Sequence, residues 1–250
     1  MARFFIFLQY KGTAYHGWQF QPNAITVQQV LDEKLSILLR EKIETTGAGR
    51  TDTGVHAKEF TAHFDTNNNL PENKEHFLFK INCLLPDDIS VYNIIKVKPV
   101  AHARFDAISR TYHYHIVTFK DPFNKEFAYY FPWKLNILKM NEAGKNLMEF
   151  TDFTSFSKLH TDVKTNNCKI SEASWEVTGH KLVFIITADR FLRNMVRAIV
   201  GTMLDIGREK LTMSDFSNVI EAKNRSFAGI SAPAHGLYLN KIIYPASLFE

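Results

Sequence analysis

The sequence predicts an α+β fold, and two observations lead to that prediction. Apolar residues recur at helical spacing in some segments and alternate with polar residues in others, so helices and strands follow one another along the chain. The first hundred residues have the order β-α-β-α-β, which is typical of an α+β or ferredoxin-like unit, and the second half has the same style. We therefore expect two ferredoxin-like α/β subdomains with mainly antiparallel sheets, an N-terminal one at 1–105 and a C-terminal one at 106–250.

The N-terminal half begins with a strand from Arg3 to Tyr10, which is rich in Phe and Ile. Thr26 then caps a helix, and Gln29 completes a capping box three residues later. Residues 58–65 alternate between apolar and polar side chains, which predicts a half-buried strand. The other predicted elements of this half are a turn at 67–71, a helix at 74–84 and a strand at 90–97.

The C-terminal half begins with a long strand at 109–119. The turn residues Thr178–Lys181 predict a hairpin between strands at 170–177 and 182–189. Phe191 to Ile206 has strong helical periodicity, and Gly207 is expected to close that helix. The other predicted elements are a helix at 138–150, a helix that Thr212 caps and that ends near Ala222, and a strand at 237–244.

Composition leaves a broad range of functions open. A net charge of +4 permits an anionic partner without requiring one. Cys83 and Cys168 lie far apart without a CxxC pair, which argues against zinc ligands. A disulfide between them stays open, and two buried free thiols are the simpler interpretation. We see neither a signal-peptide core nor a membrane-spanning apolar run of roughly 18 residues, so we expect a soluble, cytoplasmic chain with no membrane partner.

The segment from Gly47 to Ala57 holds three glycines together with Arg50, Asp52 and His56. Glycine adopts positive φ and lets another molecule approach the backbone closely. A single carboxylate in such a loop, two residues after an arginine, favours a catalytic role. A tight turn in which Asp52 bonds its own backbone explains the same residues, so both interpretations stay open.

A second candidate is a stripe of residues at helical spacing: Arg190, Arg193, Arg197 and Gly201. Residues three or four apart share one face of a helix. A solvated basic surface explains the stripe, and so does a cleft wall that faces a phosphate or a carboxylate. The glycine slightly favours the cleft wall, because glycine within a helix costs roughly 1 kcal/mol relative to alanine and needs a reason. One of these arginines could then pair with Asp52, since a guanidinium keeps its charge.

The strand from Arg110 to His115 alternates aromatic and polar side chains, which could stack a nucleobase. Tyrosine and histidine are also common on half-buried strands, so a purely structural role explains the same residues. His113 and His115 are two residues apart without a third ligand, so we predict no metal site. The sequence contains no Walker loop, GxGxxG or GxSxG motif, and so gives no support for a nucleoside triphosphate, a dinucleotide or a hydrolase elbow.

Seven segments, in order and over essentially the whole chain, resemble the TruA family of tRNA pseudouridine synthases. The most specific is the GRTDTGVH sequence at 49–56. The segments are 10–13 with 15–19, 47–57, 102–105, 110–114, 152–156, 191–201 and 233–239. Departures are small: Thr53 stands where alanine is common in the family, and Ile230 and Ser231 lie where members vary.

The resemblance implies roles for four residues in a central catalytic cleft. Asp52 is the catalytic nucleophile, Arg50 is associated with flipping the target base, Tyr112 is the active-site tyrosine, and Arg197 pairs with the aspartate. Whether Asp52 attacks ribose C1′ or uracil C6, or promotes a glycal, stays open. The predicted substrate-binding residues are Tyr112, Arg50 and His56, with Arg104, Arg110, Arg190 and Arg193 as candidates for phosphate contacts.

The resemblance also implies a substrate and partners. The substrate is uridine at positions 38, 39 and 40, in the anticodon stem-loop of tRNA, and the enzyme is a homodimer. The reaction moves the uracil bond from N1 to C5 without net redox change, so we expect neither a cofactor nor a metal. The alternative is a non-catalytic tRNA-binding or folding protein. A nucleoside glycosidase would need a second carboxylate, and none is evident in the matched motifs.

Overall fold

The structure is a computed structural model that describes residues 1–67, 70, 73–158 and 165–249. It is mixed α/β with mostly antiparallel strands, which confirms the predicted α+β class. The chain divides into two compact units: unit 1 is Met1–Ile108 with Leu239–Glu250, and unit 2 is Ser109–Tyr238. The predicted domains, 1–105 and 106–250, stay a prediction, and so does the ferredoxin-like form of each.

Strands and helices alternate through most of the described chain. The strands are β1 (Ala2–Tyr10), β2 (Thr46–Gly47), β3 (His56–Thr66), β4 (Ile89–Val97), β5 (Ser109–Val117), β6 (Tyr129–Tyr130), β7 (Ile170–Thr178), β8 (Lys181–Ala188) and β9 (Leu237–Ile243). The helices are α1 (Val27–Leu39), α2 (Lys74–Leu84), α3 (Ile137–Leu147), α4 (Met195–Gly207) and α5 (Met213–Glu221). The short strands β2 and β6 are the elements that the sequence pattern missed.

The sheet of unit 1 has the strand order β4-β1-β3-β9. The central strand β1 is antiparallel to both β3 and β4, and β2 adds a short antiparallel pairing to β3. The core of β1 consists of Phe5, Ile6 and Leu8, none of which has exposed surface. The predicted cap of α1 is present, because the Thr26 side chain accepts a hydrogen bond from the Gln29 N–H at 3.3 Å.

The strand β3 corrects one prediction. Alternation suggested a half-buried strand, with Thr61 and His63 on the open side, but residues 60 to 64 are all buried. Thr61 has no exposed surface and His63 is 6% exposed. His63 is covered partly by the 101–106 segment, since its Nδ1 accepts a hydrogen bond from the Ala103 N–H at 3.1 Å. Alternation within a short segment does not show that residues distant in sequence bury the second face of the strand.

The sheet of unit 2 contains β5, β8 and β7 in that order, with antiparallel pairs, and β6 lies parallel to β5. The predicted hairpin is confirmed: β7 and β8 meet at Thr178 and Lys181, and Gly179 in the turn has a φ of +60°. The cap of α5 is also confirmed. Thr212 and Asp215 form a reciprocal capping box at its start.

The start and end of α4 correct two further predictions. The helix begins at Met195 rather than Phe191, because Asn194 adopts a left-handed conformation with a φ of 66°. Gly207 is the last residue of the helix and not its cap. A Cβ at Gly207 would lie 2.5 Å from the Met140 sulfur, so the glycine is there to let α3 approach closely.

Cys168 is buried as predicted, whereas Cys83 is exposed, so the prediction of two buried thiols is wrong for Cys83. Both are free cysteines. No helix among the described residues is long and apolar enough to cross a membrane. The turn predicted at 67–71 falls largely outside the described residues.

Candidate active site

The loop that carries Asp52 lies in unit 1 and ends in a tight turn. The Val55 N–H donates to the Asp52 carbonyl oxygen at 3.1 Å. Gly54, the third residue of this turn, has a φ of +79°, which is the conformation that a type II turn requires at that position. The turn thus explains why Gly54 is a glycine, and Asp52 is the residue at which the turn begins.

The segment at 10–18 holds this loop in place. The Tyr10 hydroxyl and the Thr51 hydroxyl form a buried hydrogen bond of 2.8 Å. The Trp18 N–H donates to the Thr51 carbonyl at 3.3 Å, and the Gly54 N–H donates to the Tyr15 carbonyl at 3.3 Å. The segment at 10–18 and the Asp52 loop, which lie far apart in sequence, therefore form one structure around Asp52.

Glycines make that close approach possible. A Cβ at Gly12 would lie 2.0 Å from the Val55 carbonyl oxygen, and one at Gly17 would lie 2.2 Å from the Thr51 carbonyl oxygen. Both distances are far below van der Waals contact, and Gly17 also has a φ of +85°. The glycines of the 10–19 segment are thus required by the backbone of the Asp52 loop.

The side chains of the loop differ in their access to solvent. Asp52 is partly exposed and Arg50 is exposed, so both can be reached from outside. His56 is 2% exposed, and its Nδ1 accepts a hydrogen bond from the Gly12 N–H at 3.0 Å. His56 therefore connects the loop to the 10–19 segment, while the side chains of Asp52 and Arg50 remain accessible.

Tyr112 lies on β5 of unit 2, opposite Ile186 of β8. It is half-buried, and its ring meets Phe191 edge-on with 5.1 Å between the ring centres. Tyr114, two residues on, has no exposed surface, and its hydroxyl donates to the Pro233 carbonyl at 2.8 Å. Burial raises the pKa of Tyr114 above its usual range. Tyr112 can therefore face a ligand, whereas Tyr114 belongs to the core.

Arg197 lies on α4, in the same unit, and is bound to the chain segment that precedes β9. Its Nε donates to the Ala232 carbonyl at 2.7 Å, and the Ala232 N–H donates back to the Arg197 carbonyl at 2.9 Å. The first bond orients the guanidinium group at its Nε, and the second ties the backbone of α4 to the same residue.

The helical stripe predicted from sequence does not form. Arg190 and Arg193 precede α4, so only Arg197 and Gly201 share its surface. Close packing requires a glycine at position 201, because a Cβ on Gly201 would lie 1.8 Å from the Ile230 carbonyl oxygen. Arg193 is exposed and Arg190 is half-exposed.

Two of the four predicted phosphate ligands have hydrogen bonds to Asp189, Arg110 through its side chain and Arg190 through its backbone N–H. In unit 2 the Arg110 Nη1 donates to the Asp189 carbonyl at 2.7 Å, and the Arg190 N–H donates to the Asp189 carboxylate at 2.7 Å. In unit 1 the exposed Arg104 lies with its guanidinium carbon 5.7 Å from the centre of the Phe105 ring. No group of three or more metal-ligating side chains occurs within the described part of the chain.

Comparison with known proteins identifies the family. A family model described as tRNA pseudouridine synthase matches residues 150–245. The whole chain is 57% identical to tRNA pseudouridine synthase A of Parabacteroides distasonis and covers 98% of that protein. It is 55% identical to the protein of the same name from Porphyromonas gingivalis, across the full length of both, and 54% identical to that of Bacteroides fragilis, of which it covers 99%. The chain therefore belongs to the tRNA pseudouridine synthase A family, as its motifs predict.

Proposed function

We propose that this chain converts uridine to pseudouridine in the anticodon stem-loop of tRNA, at positions 38, 39 and 40, with Asp52 as the catalytic nucleophile. The isomerase class follows from the family. The observation that carries the role of Asp52 is the loop geometry: the turn and the 10–18 segment hold its backbone, while its side chain stays partly exposed. A nucleophile must be both positioned and reachable.

The reaction breaks the bond between ribose C1′ and uracil N1 and forms one between C1′ and C5. The proton lost from C5 balances the proton gained at N1, so product and substrate are isomers. In this proposal Asp52 supplies the carboxylate that stabilises or captures the group released when the first bond breaks. Its chemistry needs no second carboxylate, which distinguishes it from glycoside hydrolysis.

Three further residues have proposed roles. Arg197, whose Nε is bonded to the Ala232 carbonyl, pairs with the carboxylate of Asp52. Tyr112, half-buried on β5, stacks on the uracil and assists removal of the C5 proton. Arg50, exposed on the loop, takes the place of the uridine that leaves its stack, which offsets part of a cost of a few kcal/mol.

The remaining parts of the proposal concern binding and assembly. Arg104, Arg110, Arg190 and Arg193 contact tRNA phosphates, and all four have solvent-accessible side chains. His56 supports substrate binding through the loop that it helps to hold. We also propose that the enzyme is a cytoplasmic homodimer and that each half of the chain forms a ferredoxin-like subdomain.

Tritium release from tRNA labelled at uridine C5 tests this function. The wild-type chain should release tritium, and Asp52→Ala and Asp52→Asn should release none, because the carboxylate takes part in the reaction. Asp87→Asn, the same charge change at an exposed position of unit 1, is the matched control. Tritium release by Asp52→Ala at the wild-type rate would exclude the catalytic role.

The products separate the proposal from its competitors. A non-catalytic tRNA-binding protein would bind the labelled tRNA without releasing tritium. A hydrolase would release free uracil, and an isomerase retains the base in the RNA.

A further inference from the structure

The segment at 228–232 lies directly against α4. The Gly229 N–H donates to the Thr202 hydroxyl at 2.9 Å. A Cβ at Gly201 would come within 1.8 Å of the Ile230 carbonyl oxygen. Backbone and helix are thus in contact along this segment, which ends at the two hydrogen bonds between Ala232 and Arg197.

Ser231 is the side chain that fixes the middle of this segment. Its hydroxyl oxygen accepts a hydrogen bond from the Asn194 side-chain amide at 2.7 Å and another from the Arg225 guanidinium at 2.9 Å. These two bonds use both lone pairs of the oxygen, and the one from Arg225 is charge-assisted. Arg225 also donates to the Ala228 carbonyl at 3.1 Å, so it binds the segment at two points.

We propose that Ser231 is a positioning residue for Arg197, held in place by Asn194 and Arg225. Ser231 is bonded directly to Ala232, and the Ala232 carbonyl accepts the hydrogen bond from the Arg197 Nε. When the Ser231 hydroxyl is removed, the segment loses two side-chain bonds, and the carbonyl that orients the guanidinium shifts with it. This inference rests on the proposed pairing of Arg197 with the catalytic carboxylate.

Steady-state kinetics of tritium release from C5-labelled tRNA test the proposal. Ser231→Ala should lower kcat about tenfold and leave KM unchanged, because misplacing a catalytic group by a fraction of an ångström slows the chemical step. Ser231→Thr keeps the hydroxyl and should retain the wild-type kcat. Ser226→Ala is the matched control, since Ser226 is an exposed serine of the neighbouring turn whose N–H and hydroxyl bond to the Asn224 side chain within that turn.

A merely structural role would give a different pattern. We expect the thermal unfolding midpoint of Ser231→Ala to lie within a few degrees of the wild-type value, so that the variant is folded at the assay temperature. If Ser231→Ala unfolds, the kcat of Ser231→Thr decides the question. A Ser231→Thr variant that folds but does not have the wild-type kcat would count against the proposal. A raised KM with an unchanged kcat in Ser231→Ala would overturn it, because the residue would then act in binding.

A double-mutant cycle isolates the route through Arg197. Arg197→Lys keeps the charge but loses the planar Nε–H that binds Ala232. In that background Ser231→Ala should have no further effect on kcat. If Ser231→Ala lowers kcat by the same factor in the wild type and in Arg197→Lys, the positioning role is overturned. If Arg197→Lys lowers kcat while Ser231→Ala has the wild-type kcat, this inference alone is refuted. Wild-type activity in Arg197→Gln would instead refute the proposed role of Arg197 itself.

Discussion

At the scale of single residues, His63 shows how burial controls protonation. Its Nδ1 accepts a hydrogen bond from a backbone N–H, a role that only the neutral ring can fill. Burial, together with the charges of Arg3 and His102, lowers the pKa of His63 to about 4. The opposing charges are the carboxylates of Asp65 and Asp106.

This shift predicts a loss of stability in mild acid. The pKa of His63 is about 4 when folded and 6.5 when unfolded. Between those values the unfolded chain binds a proton that the folded chain excludes, so the free energy of unfolding falls as the pH drops from 6.5 toward 4, by up to about 3 kcal/mol. Urea titrations at several pH values should show this fall in the wild type and a flatter profile in His63→Gln. The exposed His16 offers a control, and a His16→Gln profile as flat as that of His63→Gln would count against the assignment.

At the scale of elements, the glycines of the Asp52 loop are not equivalent. A Cβ at Gly47, on β2, would lie 2.4 Å from the indole nitrogen of Trp18 and 2.9 Å from Phe60. Trp18 is 2% exposed and stacks on Phe60, with 4.1 Å between ring centres. A Cβ at Gly49, two residues later, would meet nothing within 4 Å.

The two positions therefore predict opposite outcomes. Gly47→Ala should destabilise the protein by about 1–3 kcal/mol, because it overpacks a buried aromatic pair. Gly49→Ala should be neutral or stabilise slightly, since it only restricts the unfolded chain. Chemical denaturation of the two variants measures the difference. Equal stability of both would show that Trp18 moves aside at little cost.

The elements also show what the sequence can and cannot predict. The strand β1, the helix α2 and the β7–β8 hairpin follow from local patterns, because periodicity and turn residues determine them within a short window. The start of α4 does not, since its apolar periodicity continues through Phe191 and Leu192 while Asn194 turns the backbone left-handed. The side chain of Asn194 binds Ser231, which is 37 positions away.

The candidate site has the same limits. The motif around Asp52 is specific enough to recognise from sequence. Its loop contains a turn that the Asp52 backbone carbonyl closes, and the catalytic role of Asp52 stays a prediction. The hydrogen bond that fixes Arg197 could not be predicted, because Ala232 contributes only a backbone carbonyl, which every residue possesses. The contact between Thr51 and Tyr10 could not be predicted either, because their buried hydroxyl pair spans 41 positions of the sequence.

At the scale of the whole molecule, the predicted arginine contacts imply a strong salt dependence of tRNA binding. The net charge is only +4, so we expect the attraction to come from individual arginines such as Arg110, whose guanidinium group bonds to the Asp189 carbonyl. Each phosphate contact contributes a slope of about −0.7 to −0.9 to a plot of log K against log salt. Arg110→Gln should weaken binding and make that slope less steep by about 1.

Binding titrations at several salt concentrations measure that slope. Lys80→Gln removes the same charge from an exposed position on α2 and should leave the slope unchanged. A slope that Arg110→Gln and Lys80→Gln alter equally would show that overall charge, and not a phosphate contact, governs binding.

The return of the last residues to unit 1 has a consequence for synthesis. The strand β9 is the neighbour of β3 in the sheet, and the Ile242 N–H donates to the Glu59 carboxylate at 3.1 Å. During translation, unit 1 waits for its last segment, Leu239–Glu250, although most of the unit is made first. The edge of β3 thus stays open while about 170 further residues are added. The nascent protein is most prone to wrong strand pairing in that interval, and a chain that terminates early leaves that edge uncovered.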